Sequence, residues 1–221
     1  MKKYIKKSIK LPHRKKEVNM IDKICTLLTN KIRQNVPDID DERAEIINYG
    51  LQNIIGEIPK TFLIIGIAFL LGIGELTLIS FLVIFPFRAF SGGFHLKTHI
   101  GCILGSSLFF MGNALLSKYI VFNPIILKYI IILGVWVFGM CMVKLYAPAD
   151  TANVPILNKK IRKQKQILSY ITLTITLIIA AFISNTIVSN MMIFGMLLQS
   201  ISISRLAYNI TNNKYGYEVY N

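Results

Sequence analysis

Apolar residues along this chain gather into long runs separated by short polar breaks, and the length of the runs decides the class of protein. A helix that crosses a bilayer needs about 20 residues. Six runs come near that length: 53–72, 75–91, 99–117, 124–145, 167–184 and 188–207. The breaks between them carry turn formers or charge: Gly72-Ile73-Gly74-Glu75, Ser117-Lys118, Ala147-Pro148-Ala149-Asp150 with a basic loop after it, and Ser184-Asn185. Ahead of these runs, residues 20–32 place Ile21, Ile24, Cys25, Leu28 and Ile32 on one helical stripe. That segment is too short and too charged to span, and reads as an amphipathic helix lying in the membrane interface or as an ordinary packed helix. Pro37 followed by Asp38, Asp40, Asp41 and Glu42 predicts a second helix start, because acidic groups suit the positive end of the helix dipole. This helix should continue through Ile47, Leu51, Ile54, Ile55 and Ile58 and kink at Pro59, which lacks the amide hydrogen of the ladder. The predicted fold is all-α: a polytopic membrane protein with about six transmembrane helices and an amphipathic N-terminal interfacial helix. Residues 1–52 would form the basic tail and interfacial helices, and residues 53–221 the transmembrane domain.

Charge supports this reading and orients it. Only 16% of the 221 residues are charged and 53% are hydrophobic, with a mean hydropathy of +0.53; soluble domains carry about a quarter charged residues. The net charge of +14 would suggest nucleic acid in a soluble protein. Here the cations cluster beside apolar runs, at Lys2, Lys3, Lys6, Lys7, Lys10, Arg14, Lys15 and Lys16 and again at Lys159, Lys160, Arg162, Lys163 and Lys165, without the repeated aromatic interleaving that base stacking would use, Tyr4 being the one aromatic residue among them. Such clusters fix orientation and attract anionic membrane lipids, and no nucleic-acid partner is expected. With both termini in the cytoplasm, six spans put all but Lys118 and Lys128 of the 25 Lys and Arg on the inner side. Merging residues 61–87 into one span would move Arg88 and Lys97 outside and set the two basic blocks in conflict. The basic N-terminus runs into mixed sequence, so no signal peptide is expected. Three cysteines, Cys25, Cys102 and Cys141, are an odd number without framework spacing. A disulfide scaffold is therefore not expected, and at least one thiol should be free.

The richest chemical patch runs from Arg88 through Gly92-Gly93, His95, Lys97 and His99 to Cys102, between the second and third runs. An imidazole beside a thiol can take its proton, generating the thiolate nucleophile, and can later protonate a leaving amine. Seven residues of straight helix would hold His95 and Cys102 ~10.5 Å apart along the axis, so His95 must lie off the helix that carries Cys102. Gly92-Gly93 supplies the backbone freedom for such a bend. His99 is the nearer neighbour in a helix, and spacing alone does not choose between the two histidines. His95, His99 and Cys102 also stand where one helix face could bind zinc, although no fourth ligand is evident. The plainest alternative makes the histidines headgroup-level loop residues and Cys102 a small packed hydrophobe. Cys141 reads as packing and Glu75 as solvated. A second patch runs from Lys144 through Tyr146-Ala147-Pro148-Ala149 to Pro155-Ile156. It reads either as a helix-ending loop or as a cytoplasmic docking surface for an acidic peptide, with Lys144, Tyr146, Pro148, Lys159, Lys160, Arg162 and Lys163 as its binding residues.

Together the two patches resemble the accessory gene regulator protein B (AgrB) family, membrane cysteine endopeptidases that process quorum-sensing propeptides in Gram-positive bacteria. The resemblance rests on Arg88, the glycine pair before His95, the step from His95 to Cys102, and Tyr146-Ala147-Pro148-Ala149 with Pro155-Ile156 and the basic run behind. It extends to overall length and number of spans. The resemblance implies that Cys102 is the nucleophile and His95 its base, with Arg88, Gly92 and Gly93 supporting the site. It further implies a short amphipathic AgrD-like propeptide as substrate, an acyl-thioester on Cys102, and closure of a thiolactone or lactone ring. It leaves the protein in the cell membrane with the site facing the cytoplasm, needing no cofactor or metal, and is compatible with a homodimer. No carboxylate stands near enough in sequence to orient His95, so a dyad is expected. The longer basic extension of residues 1–16 departs from some members. A small transporter or exporter is the alternative from another class, and the nearly charge-free later spans argue against it.

Overall fold

The computed structural model describes residues 20–36, 39–96, 98–151, 155–156 and 158–220. Residues 1–16, the Pro37-Asp38 helix signal, Lys97 and the side chain of His99 lie outside the described residues. The chain divides into two compact units between Thr61 and Phe62.

In the first unit, helix α1 (Met20–Asn35) leaves Ile24, Leu27, Leu28 and Ile32 exposed along one side. Helix α2 (Asp41–Leu70) starts where the Asp40 carboxylate accepts from the Arg43 amide at 2.8 Å, an N-cap that satisfies one of the orphan donors of the first turn. α2 is not interrupted at Pro59.

Among the described residues, seven further helices belong to the second unit: α3 (Gly74–Ser91), α4 (His99–Tyr119), α5 (Ile125–Tyr146), α6 (Lys159–Phe182), α7 (Thr186–Ser202), α8 (Arg205–Ile210) and α9 (Gly216–Tyr220). α3, α4, α5 and α6 are long and apolar enough to cross a membrane, while α2 and α7 contribute the shorter apolar stretches Ile58–Leu70 and Thr186–Ser202. The chain is therefore a multi-pass helical membrane protein. Local chemistry sets the boundaries. Gly72, at φ +71, makes the turn between α2 and α3. Thr98, Asn158, Asn185 and Ser204 cap α4, α6, α7 and α8 with side-chain oxygens. α5 stops at Tyr146, one residue short of the Ala147-Pro148 pair.

Three sequence expectations change. The basic run 159–165 is no loop: it forms the first turns of α6, which Asn158 opens by accepting from the amides of Lys160 and Ile161. The last span ends at Ser202 instead of 207, because Ser204 starts a new helix there. Cys141 does not pack inside but stands exposed on α5. Glu75 is exposed, as expected.

α7 is the hub, packing against α3, α4, α5 and α6. The residues these neighbours bury mix small and polar groups with a few large apolar ones. α3 buries Thr77, Ser80, Ile84 and Phe87, α4 buries Asn113, Ala114 and Ser117, α5 buries Val135, Gly139 and Val143, and α6 buries Ser169, Leu173, Leu177 and Ala180. The large apolar residues Leu104, Leu108, Ile130, Leu133, Ile175 and Ile178 face outward. In hydrocarbon no hydrophobic force separates lipid-facing from inward-facing leucines, so small residues permit close approach and polar ones tie the helices. Asn113 Nδ2 donates to Ser80 Oγ at 2.9 Å and to the Met191 carbonyl at 3.2 Å, and Asn190 Nδ2 to the carbonyls of Ile120 and Ser117. Interhelical bonds of this kind are worth about 0.6 kcal/mol each.

Gly139 should tolerate no side chain, because a Cβ there would lie 2.7 Å from Leu173 Cδ2 and 3.0 Å from Ser200 Oγ. Gly139→Val is expected to destabilise the bundle by about 1–3 kcal/mol through overpacking, whereas Gly134→Ala, with open space around it, should be neutral. Thermal unfolding of the purified variants in detergent measures the difference.

Candidate functional site

The candidate site begins where α3 ends. Gly92 takes φ +74 and ψ −151, and Gly93 takes φ +147, which turns the chain out of the helix into an extended stretch. That stretch lies against the α5–α6 connection. The Ala149 amide donates to the Ser91 carbonyl at 2.7 Å, and the Gly93 amide donates to the Ala149 carbonyl at 3.0 Å, forming an isolated parallel bridge. A Cβ on Gly92 would run into the Ala149 carbonyl oxygen. Glycine is thus required twice over at position 92, for its dihedral angles and for the close approach.

Three side chains then take up carbonyls of this stretch. Gln199, fully buried on α7, donates Nε2 to the Gly92 carbonyl at 2.7 Å and to Ser91 Oγ at 2.9 Å. Its Oε1 accepts from Arg88 Nη1 at 3.2 Å, and Arg88 Nη2 donates to the Phe94 carbonyl at 3.2 Å. The Arg88 guanidinium also lies over the Phe109 ring of α4, 5.8 Å from its centroid. Asn213 Nδ2 donates to the His95 carbonyl at 2.9 Å.

His95 is exposed and outside any helix, as the sequence geometry demanded. Cys102 is half-buried in the first turn of α4, its amide donating to the Thr98 carbonyl at 2.9 Å. The residue after His95 links the two: Leu96 packs over Gly101 and Gly105, where a Cβ on Gly105 would lie 2.7 Å from Leu96 Cδ1. Gly101 and Gly105 flank Cys102, so the extended stretch runs alongside the turn that holds the thiol. Among the described residues no group of three or more His, Cys, Asp or Glu side chains is gathered as a metal site would need.

The second sequence patch forms the other wall. Ala147, Pro148, Ala149, Asp150 and Thr151 are buried. The Asp150 carboxylate pairs with Arg162 Nη1 at 3.1 Å and accepts from the Ile156 amide at 2.8 Å. Arg162 also donates to the Pro148 carbonyl at 3.2 Å and stacks 4.2 Å from the Tyr217 ring centroid. The guanidinium predicted to dock a peptide is thus engaged within the protein, and ties α6 to the loop before it. Lys144, Lys159, Lys160 and Lys163 are exposed, Tyr146 stacks on Tyr215, and Pro148 is buried. Tyr208 donates its hydroxyl to the carbonyls of Ala149 (2.9 Å) and Asp150 (3.1 Å). Burial, then the neighbouring Tyr215 and Asp150, push that hydroxyl's pKa well up, against an opposing pull from Arg88, so it stays a donor. Sequence reasoning passed over Gln199, Tyr208, Tyr215 and Asn213. A glutamine inside an apolar run was the available signal for the first, since polar groups at membrane depth need partners; the others carried none.

Residues 25–203 match the profile of a family described as Accessory gene regulator B. The chain belongs to that family. An AgrB-like protein of Listeria monocytogenes serovar 1/2a is 30% identical over 206 residues, covering 92% of this chain and 97% of the relative. One from Listeria innocua is 29% identical over the same share of each chain. The accessory gene regulator protein B of Staphylococcus epidermidis is 28% identical over 161 residues, 71% of this chain and 77% of its own. No solved structure matches. Arg88, the glycine pair, His95, Cys102, Ala149, Asp150, Arg162 and Gln199 fall within the AgrB-matched residues, and Tyr208, Asn213 and Tyr215 fall beyond them.

Gly92→Ala should break the bridge to Ala149, at a cost of about 1–3 kcal/mol in backbone strain alone. The expected result is a lower unfolding temperature in detergent together with faster proteolysis within residues 147–158; an unchanged cleavage pattern would show that the bridge does not hold the loop.

Proposed function

We propose that this AgrB-family chain is a membrane cysteine endopeptidase that processes an AgrD-like propeptide in quorum sensing. The observation that carries the reading is the Gly92–Ala149 bridge. It joins two stretches more than 50 residues apart in sequence, and the extended stretch that leaves it carries His95 and then Leu96, whose packing on Gly101 and Gly105 supports the pairing with Cys102.

In the proposed reaction His95 takes the thiol proton of Cys102, and the thiolate attacks a peptide carbonyl of the propeptide. The C–N bond breaks as the imidazolium protonates the leaving amine, releasing the C-terminal leader and leaving an acyl-thioester on Cys102. A thiol or hydroxyl of the propeptide then gives its proton to the neutral His95 and attacks the thioester, closing a thiolactone or lactone and expelling the Cys102 thiolate, which the imidazolium reprotonates. Thiol–thioester exchange conserves the acyl bond's energy, so ring closure to the thiolactone needs no nucleotide. Water must stay out during that exchange, which suits a site at the edge of the bilayer.

Charge supports a cytoplasmic site. The ends of α3, α5 and α7 and the starts of α4 and α6 share one end of the bundle, and with them come Arg88, Lys144, the α6 cations, Arg205 and Lys214, while Lys118 and Lys128 lie toward the other end. The exposed Lys144, Lys159, Lys160 and Lys163 are the proposed docking cations for an acidic propeptide segment; anionic lipids compete for them.

Cys102→Ala and His95→Ala are each expected to abolish cleavage of a cognate propeptide while the protein still inserts, and His99→Ala to retain most activity. Full activity in His95→Ala would refute the dyad, and loss of wild-type activity on chelation would point to zinc at His95, His99 and Cys102 instead. Replacing Lys159, Lys160 and Lys163 together by Gln should raise KM for the propeptide several-fold with kcat little changed. A loss confined to kcat would remove these lysines from docking.

A further inference from the structure

A histidine that must meet a thiol on another element needs its backbone fixed, because once the Cα–Cβ direction is set only two side-chain torsions remain. The strand carrying His95 is held at its near end by the Ala149 bridge, Gln199 and Arg88. The His95 residue itself is held from elsewhere. Its carbonyl accepts from Asn213 Nδ2 at 2.9 Å, in a segment that follows α8 and lies beyond the family-matched residues.

That segment is built to aim the amide. Asn212 takes φ 51, a left-handed conformation that asparagine tolerates better than most residues. The turn it makes brings the Asn213 amide nitrogen onto the Tyr208 carbonyl at 2.8 Å, while Asn213 Nδ2 is steadied by Thr211 Oγ1 at 2.9 Å. Just beyond, Tyr215 is buried between two rings, 4.1 Å from Tyr208 and 5.9 Å from Tyr146 by centroids, and donates its hydroxyl to the Ile203 carbonyl at 2.8 Å. Gly216 seats against Thr151 and Pro155 with no room for a side chain, and Glu218 pairs with Arg205. Asn213 is therefore anchored on both sides along the chain, and its side chain reaches out of that anchored arm to His95.

We propose that Asn213 is a positioning residue for His95, the C-terminal segment being the arm that holds the histidine against the thiol. The proposal rests on His95 and Cys102 being the reacting pair. Asn213 does not touch the reacting atoms; it acts through the main chain of His95. A misplaced catalytic group can lose up to about a hundredfold in rate for about 1 Å, so the effect should fall on kcat.

The test uses the full-length protein in detergent micelles, with Cys25→Ala and Cys141→Ala so that Cys102 is the sole thiol. Asn213→Ala removes the donor, and Asn213→Asp keeps the shape while presenting only acceptors to the carbonyl. Both are expected to lower kcat for propeptide cleavage roughly tenfold or more with KM and the unfolding temperature little changed. Both should also move the pH midpoint of Cys102 alkylation by iodoacetamide upward, in the direction of His95→Ala. If His95→Ala neither stops cleavage nor moves that midpoint, the dyad itself is wrong and the proposal falls with it. If His95→Ala does both while the Asn213 variants alkylate and cleave as the wild type, the positioning role alone is overturned. An activity loss in Asn213→Ala that only follows the unfolded fraction, with the alkylation midpoint unmoved, also overturns it.

Discussion

Two main-chain hydrogen bonds between Ser91-Gly92-Gly93 and Ala149 set the shape of the candidate site, and they exist only because position 92 has no side chain. The bridge is not part of a sheet, so nothing repeats it on either side. Its strength comes from what surrounds it: Gln199 takes the Gly92 carbonyl, Arg88 takes the next available one at Phe94, and Tyr208 closes the far side by taking the Ala149 and Asp150 carbonyls. Irregular backbone beside a bilayer is tolerated only where protein groups satisfy its polar atoms. Each of these side chains meets that requirement, and in doing so each also fixes where the strand leaving α3 can go.

Arg88 and Gln199 show how the bundle interior and the site depend on one another. Gln199 comes from the central helix α7, and its amide bonds in both senses, donating to the glycine turn and accepting from Arg88. The same helix uses Asn190 and Ser189 nearer its start to tie α4 and α6. α7 therefore ties α3, α4 and α6 through polar contacts along its length, and the last of these contacts is with the site. A protein packed by leucines alone would have no comparable way to choose one register in lipid, where an outward leucine is as well placed as an inward one.

The Asp150–Arg162 pair gives the second wall a similar economy. Asp150 is nearly inaccessible, and its partner sits at the start of a helix on which Lys159, Lys160 and Lys163 are exposed. One cation of the basic run thus serves the fold, and its neighbours Lys159, Lys160 and Lys163 stay available at the surface. The C-terminal segment overlays this wall, Tyr215 stacking on Tyr146, Gly216 seating against Thr151 and Pro155, and Tyr217 lying under Arg162.

Hydropathy alone determined the all-helical membrane class, and a helix stands at each apolar run, because run length and turn formers are local properties; α6 nevertheless starts at Lys159, well before 167, and α7 stops at Ser202, short of 207. It also drew attention to residues 88–102 and 144–156, since clustered ionisable groups and paired glycines or prolines are visible without a structure. The basic run behind Asp150 was misread as a loop, because its cations resemble a solvated connection until Asn158 is seen capping them into α6. The inward faces of the spans could not be read either: in lipid both faces are apolar, and the small and polar positions that mark the interior, Gly139, Ser80 and Asn113 among them, carry little hydropathy signal. Only the tertiary structure decided that the two patches are one place, that Gln199 and Asn213 reach it, and that Arg162 turns inward. Those relations join residues far apart in the chain, and they are set by side-chain reach and close backbone approach, neither of which leaves a periodic trace in sequence.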